Sequence, residues 1–239
     1  MSQAKIRLYV DQPLGPGQPV PVEEGQANYL FNVMRLVAGD AVLLFNGVDG
    51  EWLAHVAQAG KRRGVLMCQS RTAPLRLPPD IWLIFAPIKK ARADFIVEKA
   101  VELGAARIIP VQTRYTNERL RQEKLQSHAV EAAEQCRATF VPPVAELIPL
   151  DRLLSTWDPT RRLLWCDEAL TTPTPLTGPK NSPSAILIGP EGGFAPDEQA
   201  TLRTLPHITP LSLGPRILRA DTAAVAALTL WQASLGDWT

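Results

Sequence analysis

The sequence predicts an α/β protein of two unequal domains, a small β-rich one at residues 1–72 and a larger one with a parallel sheet at 73–239. Three observations carry this. The chain has 239 residues, of which 46% are hydrophobic, so it exceeds one typical domain and can bury a sizeable core. A Pro-rich connector at 73–79 separates two patterns. Before it, short strand-like runs follow one another; after it, such runs alternate with helix-length segments, the pattern of a parallel sheet.

In the first domain, strands are predicted at 6–10, 41–45, 51–57 and 65–69, with a helix over 26–35. Gly47-Val-Asp-Gly50 reads as a hairpin turn between two of these strands. In the second domain the predicted order is strand 81–86, helix 92–103, strand 107–111, helix 122–138, strands 162–166, 184–188 and 208–213, and helix 222–234. Within helix 92–103, Phe95, Ile96, Ala100 and Leu103 share one stripe expected in the core. Glu98 and Glu102, beside Lys99, are expected to form a solvated face.

Composition narrows the function. No apolar run approaches the roughly 20 residues of a membrane-spanning helix, and no signal-peptide core is present, so a soluble, cytoplasmic protein is expected. Cys68, Cys136 and Cys166 form no C-x-x-C pair, and His55, His128 and His207 stand singly, so no disulfide framework and no metal site is expected. Formal net charge is only +1, but it is unevenly spread. Over 61–92, Lys61, Arg62, Arg63, Arg71, Arg76, Lys89, Lys90 and Arg92 stand against one acid, Asp80. A second basic stretch, Arg114, Arg119, Arg121 and Lys124, is diluted by Glu118 and Glu123. Such stretches are either solvated loop surface or phosphate contacts.

Two segments near the C-terminus describe a ligand pocket: Ile188-Gly-Pro-Glu-Gly-Gly-Phe194 and Leu211-Ser-Leu-Gly-Pro-Arg-Ile-Leu-Arg-Ala-Asp-Thr-Ala223. Each sets Gly and Pro after a strand-like run and before a predicted helix, where α/β proteins bind small molecules. A Gly-rich turn at a helix N-terminus first suggests phosphate. Glu191 inside the turn, and Asp197 and Glu198 in the next helical turn, contradict that, and no Lys or Ser/Thr stands in the Walker arrangement. A neutral or cationic ligand held by backbone groups fits better, and Gly192 and Gly193 permit its close approach. S-adenosylmethionine, a sulfonium, is such a ligand.

These segments occur in order with Asn28-Tyr-Leu-Phe-Asn-Val-Met-Arg-Leu-Val-Ala-Gly-Asp40, Lys89-Lys-Ala-Arg92, Glu98-Lys-Ala-Val-Glu-Leu-Gly104 and Glu131-Ala-Ala-Glu-Gln-Cys136. The set resembles the bacterial 16S ribosomal RNA uridine-N3 methyltransferases of the SPOUT, or trefoil-knot, class. The resemblance implies a SPOUT knotted methyltransferase domain at 73–239 and a PUA-like β-barrel at 1–72 that helps hold RNA. It also implies S-adenosylmethionine as cofactor, 16S ribosomal RNA or the small ribosomal subunit as partner, and a homodimer. On this basis the cofactor lies between Ile188, Gly189, Pro190, Gly192 and Gly193 on one side and Leu211, Leu213, Gly214, Arg216, Ile217 and Leu218 on the other. Arg7, Arg35, Lys89, Arg92 and Arg114 match basic places in the family motifs and are expected to contact RNA. Three places depart from the pattern: Arg137 and Ala138 stand where Gly and then Arg are usual, Asp221 replaces Glu, and Ala195 replaces a helix-capping Ser.

Methylating uracil N3 requires loss of its proton, so the site needs a proton acceptor or groups that stabilise an anionic base. Arg219 is the candidate cation, with a salt bridge to Asp221 or to a neighbouring subunit as its other reading. Glu191 is the candidate acceptor, or else a carboxylate that fixes the turn. The competing functions are a SPOUT enzyme acting on a ribose 2′-oxygen or another base atom, and an RNA-binding factor without activity.

Overall fold

The strand-like runs of the first domain and the alternating pattern of the second fold into separate units in this computed structural model, which describes residues 4, 6–172 and 175–238. The first unit comprises residues 1–77 with 133–140, the second residues 78–132 with 141–239.

In the first unit, β1 (Ile6–Tyr9), β2 (Pro19–Glu23), β3 (Ala41–Phe45), β4 (Glu51–Ala59) and β5 (Arg63–Ala73) form one sheet in the order β1-β3-β4-β5-β2. β1 runs parallel to β3 and the remaining pairs are antiparallel. No pairing joins β1 to β2 among the described residues, so the expected barrel takes the form of a mixed-sheet half-barrel. Three register shifts between β4 and β5 bend it. Gly47 and Gly50, at φ +78° and +82°, make the turn between β3 and β4 that the hairpin reading required.

β2 is absent from the sequence reading because Pro19 and Pro21 cannot donate to a ladder. As an edge strand it tolerates them, while Val20 and Val22 are buried in the core. The helix expected over 26–35 starts early as α1 (Glu24–Ala27) and widens into a π-helical segment, Asn28–Val33, where the Met34 N–H donates to the Tyr29 carbonyl at 2.9 Å.

In the second unit, β6 (Ile81–Phe85), β7 (Arg107–Gln112), β8 (Ile148–Pro149), β9 (Arg162–Cys166), β10 (Ser184–Ile188) and β11 (Ile208–Leu211) form an all-parallel sheet in the order β11-β9-β10-β6-β7-β8. Its helices are α2 (Lys90–Glu102), α3 (Gln122–Cys136, of which 133–136 belong to the first unit), α4 (Leu150–Ser155), α5 (Pro196–Thr204) and α6 (Ala220–Leu235). β10 is buried along its whole length, which is why Ser-Ala-Ile-Leu-Ile reads as an unbroken run. The short β8 and α4 fall below the length at which a period is readable.

On α2 the buried stripe is Ala93, Ile96, Val97, Ala100 and Val101. Phe95, expected in the core, is instead 40% exposed beside the Lys99 ammonium. Lys99 also pairs with Glu98 and Glu102 at 2.7 and 2.8 Å, the solvated face anticipated for these acids. α6 packs on α2, and its buried Gln232 donates to the Leu103 carbonyl at 2.7 Å.

After β10 the chain passes back over β9 to the edge strand β11. Because the sheet is parallel, the C-terminal ends of β6, β10, β9 and β11 stand side by side, and the loops that leave them meet.

Candidate active site

A cavity of about 400 Å³ opens where these loops meet. The β10–α5 loop forms one wall. Its turn closes through the Gly193 N–H and the Pro190 carbonyl at 2.9 Å, and Gly193 takes the left-handed φ of +70°. Gly189 lies beneath the Phe194 ring so closely that a Cβ there would be 2.7 Å from Cε2. Phe194 in turn stands edge-on to Trp165, with ring centroids 6.0 Å apart.

The β11–α6 loop forms the second wall with Leu211, Leu213, Gly214, Arg216, Ile217 and Leu218. A third wall, missed in the sequence, follows β9: Trp165, Cys166, Asp167, Glu168 and Leu170. It is tied to the second by the Asp167 N–H on the Leu211 carbonyl at 3.1 Å and by Ser212 Oγ on the Leu170 carbonyl at 2.7 Å. Arg203 pairs with the buried Asp167 at 3.2 Å. Burial pushes the Cys166 thiol up to about 12, so it is protonated at neutral pH and contributes as a small apolar group.

Charges converge on the opening. Arg92 donates to Glu191 Oε1 at 2.5 Å, while its Nε lies 3.9 Å from Asp221 Oδ2. One guanidinium thereby links the β10–α5 turn to the first turn of α6. Arg219 occupies the N-cap position of α6, exposed and without an ion pair among the described residues. Asp221 faces Arg92 instead, so the alternative Arg219–Asp221 bridge is not formed within the chain. Lys89 and Arg216 also line the cavity, both exposed.

The structure thus brings together Ile188, Gly189, Pro190, Glu191, Gly193, Leu211, Leu213, Gly214, Arg216, Ile217, Leu218, Arg219, Lys89 and Arg92. Gly192 is not in the lining: it faces Tyr115, whose Cβ would lie 3.5 Å from a Cβ added there. Arg114 is outside the cavity and pairs with Asp197 at 2.9 Å. Its N–H donates to Glu198 Oε1, and Glu198 Oε2 accepts the Ala195 N–H at 2.8 Å, so the carboxylate half of a capping box holds the start of α5 without a capping Ser. Phe194 ends the first of the two pocket segments, whereas Trp165, Asp167, Glu168 and Gln199 were not expected. For Trp165, Asp167 and Glu168 the only sequence signal was the run at 162–166 followed by two acids, without the Gly and Pro that marked the other walls.

In the first unit, Arg35 is exposed at φ +57°. Arg7 requires correction as an RNA contact. Its side chain is only 8% exposed: Nε meets Glu51 at 2.6 Å, and its two terminal nitrogens donate to the Ala133 and Ala138 carbonyls, also at 2.6 Å. Phe45 covers it with its ring centroid 3.7 Å from the guanidinium carbon. A guanidinium so enclosed closes the end of α3 and has no face left for phosphate.

The chemistry of the lining fits S-adenosylmethionine. The volume lies within the range of small-molecule sites, and the walls offer aliphatic surface and close backbone, suited to an adenine ring, with the Glu168 and Glu191 carboxylates suited to a sulfonium cation. Gly214, at φ +104°, has open space where a Cβ would stand.

The RNA methyltransferase domain family matches residues 75–232, and the RNA methyltransferase PUA domain family residues 22–66. Ribosomal RNA small subunit methyltransferase E of Rickettsia conorii is 29% identical over 93% of both chains. Its counterpart in Synechocystis is 31% identical over 87% of this chain and 71% of its own. The crystal structure of ribosomal RNA small subunit methyltransferase E from Neisseria gonorrhoeae bound to S-adenosyl methionine superposes with a TM-score of 0.88 at 27% identity, covering 98% of this chain and 99% of that one. A putative methyltransferase of Legionella pneumophila, solved with bound cofactor SAM, gives 0.87 at 29% identity over 99% and 100%. The fold is therefore the expected one, a SPOUT-class α/β domain with a parallel sheet joined to a small PUA-like β-domain. With both of its units matched, the chain belongs to the ribosomal RNA small subunit methyltransferase E family.

Proposed function

We propose that the protein methylates N3 of a uridine in the 16S ribosomal RNA of the small subunit, using S-adenosylmethionine. The observation that carries this is the convergence of the two Gly-Pro loops on one cavity whose mouth is lined by Lys89, Arg92, Arg216 and Arg219. Ile188, Gly189, Gly193, Leu211, Leu213, Gly214 and Leu218 would hold the cofactor, with Pro190 and Ile217 completing the walls. When bound, it supplies an electrophilic methyl group on a sulfonium.

Uracil N3 becomes a nucleophile as its proton leaves, and negative charge then spreads onto the carbonyl oxygens. Arg219, having no anion partner among the described residues, binds one of these oxygens and stabilises that charge. Glu191, held through Oε1 by Arg92, takes the N3 proton on its other oxygen. Arg92 therefore acts on the position of Glu191. Lys89, with Arg35 in the first unit, meets phosphates, which fix register without reading sequence. Arg114, also proposed as an RNA contact, must exchange Asp197 for phosphate.

Residues 1–72 serve as the RNA-holding domain and 73–239 as the methyltransferase. The enzyme works as a homodimer, a reading supported by apolar Ile217, Leu230 and Trp238 at 81%, 44% and 52% exposure. Its setting is the cytoplasm, where the substrate is made; no described helix is long and apolar enough to cross a membrane. The proposed reaction uses no metal ion.

The test supplies the purified protein with methyl-labelled S-adenosylmethionine and small subunits lacking the modification, then identifies the labelled nucleoside by mass spectrometry. Label in 3-methyluridine is expected. Label in a 2′-O-methylated or other nucleoside would overturn the assignment of the acceptor atom, and absence of both label and cofactor binding would leave an RNA-binding factor.

A further inference from the structure

We infer that Tyr115 is a stacking platform for the uracil as it leaves the RNA stack. The inference rests on the function proposed above. Tyr115 is 46% exposed, yet the chain around it is tightly held. It is the third residue of a turn in which the Thr116 N–H donates to the Thr113 carbonyl at 3.2 Å and the Thr113 N–H to Thr116 Oγ1 at 3.0 Å. The two hydroxyls lie 2.8 Å apart, and both threonines are buried. On the other side of the turn, the Arg114 N–H donates to Glu198 and its guanidinium pairs with Asp197.

Buried hydroxyls and the backbone bond to Glu198 thus hold in place a turn whose middle carries a large ring left half in water. Such an arrangement does not bury the ring; it presents it. The place of presentation is specific. Tyr115 lies against Gly192, with 3.5 Å from its Cβ and 3.8 Å from its Cδ2 to where a Gly192 Cβ would be. Gly192 is flanked in sequence by Glu191 and Gly193, which both line the cavity. The ring therefore stands beside the turn that carries the proposed proton acceptor.

The reaction calls for such a group. N3 lies on the pairing edge of uracil, so the base must be unpaired and unstacked before methylation, and it loses its stacking neighbours on leaving. A rigid aromatic face replaces part of that loss without reading sequence. Stacking uses the ring and not the phenol hydroxyl, which makes the idea separable from hydrogen bonding.

The experiment compares Tyr115→Ala, Tyr115→Phe and Tyr115→Trp in the full-length enzyme, assayed on small subunits lacking the modification, with S-adenosylmethionine affinity and thermal midpoint measured in parallel. The expected result is a fall in kcat/KM of about ten- to a hundredfold for Tyr115→Ala, near-normal values for Phe and Trp, and unchanged cofactor affinity and midpoint. Full activity of Tyr115→Ala would overturn the inference alone. So would a Phe variant as poor as the Ala variant, which would assign the effect to the hydroxyl, or a parallel loss of cofactor affinity, which would make the ring a buttress of the turn. Absence of 3-methyluridine with the unmutated enzyme would overturn the proposed function and this inference together.

Discussion

Replacing Arg7 with Ala separates two roles that a basic residue in a family motif can have. Arg7 and Glu51 are 8% and 12% exposed and 2.6 Å apart, so the variant leaves a buried carboxylate without its partner. Breaking a buried pair in this way costs about 3–5 kcal/mol. The Ala133 and Ala138 carbonyls lose their donors at the same time. With a urea dependence of about 2 kcal/mol per molar, the unfolding midpoint falls by roughly 2 M. Circular dichroism in urea measures it, with RNA affinity measured under native conditions as the counterpart. Replacing the pair together, Arg7→Met with Glu51→Leu, should recover much of the loss, since no unpaired charge remains. A midpoint change worth under about 1 kcal/mol, accompanied by weaker RNA binding, would refute the structural role and restore Arg7 as a phosphate contact.

Four further outcomes are expected. Arg137 holds a left-handed φ of +62°, so Arg137→Gly should stabilise the protein by about 1 kcal/mol in the same urea experiment. Gly193→Ala should cost about 1–2 kcal/mol, and adding Glu168→Ala should not restore it: the double variant relieves the 2.6 Å contact, but the strain of φ +70° remains. Cys166, raised to about 12, is deprotonated only as pH approaches that value; iodoacetamide at pH 8 should therefore label exposed Cys136 and spare Cys166, with Cys166 labelling rising as pH increases. Arg219→Ala should lower kcat by about a hundred- to a thousandfold while leaving calorimetric cofactor affinity near normal, and equal losses in both would assign Arg219 to cofactor binding instead.

Much of the fold and two walls of the site were legible because their signals are local. A buried parallel strand reads as an unbroken apolar run, as at 184–188, and a turn needing φ above zero selects Gly, as at Gly193 and Gly214. Arg137 shows the same rule from the other side: the usual Gly at that place is explained by the φ of +62° that this chain imposes on an arginine. What escaped was set by partners distant in the chain. β2 was hidden by two prolines that only an edge position tolerates. Phe95 shares the helical period of core residues, yet α2 presents it to water. The wall at 165–170 is held by hydrogen bonds to residues some 40 positions later, which leave no trace in its own composition.

The division is clearest among the arginines, identical in sequence and opposite in fate. The sequence by itself determined that cations and glycines would gather near the strand ends, because those choices answer to local backbone needs and overall charge. Only the tertiary structure decided which cations stay available: Arg7 is enclosed by Glu51 and two carbonyls, Arg92 is bound to Glu191, and Arg219 has no anion partner among the described residues. The physical reason is that electrostatic pairing depends on distance in space, and distance in space is fixed by how the loops pack, not by their order in the chain.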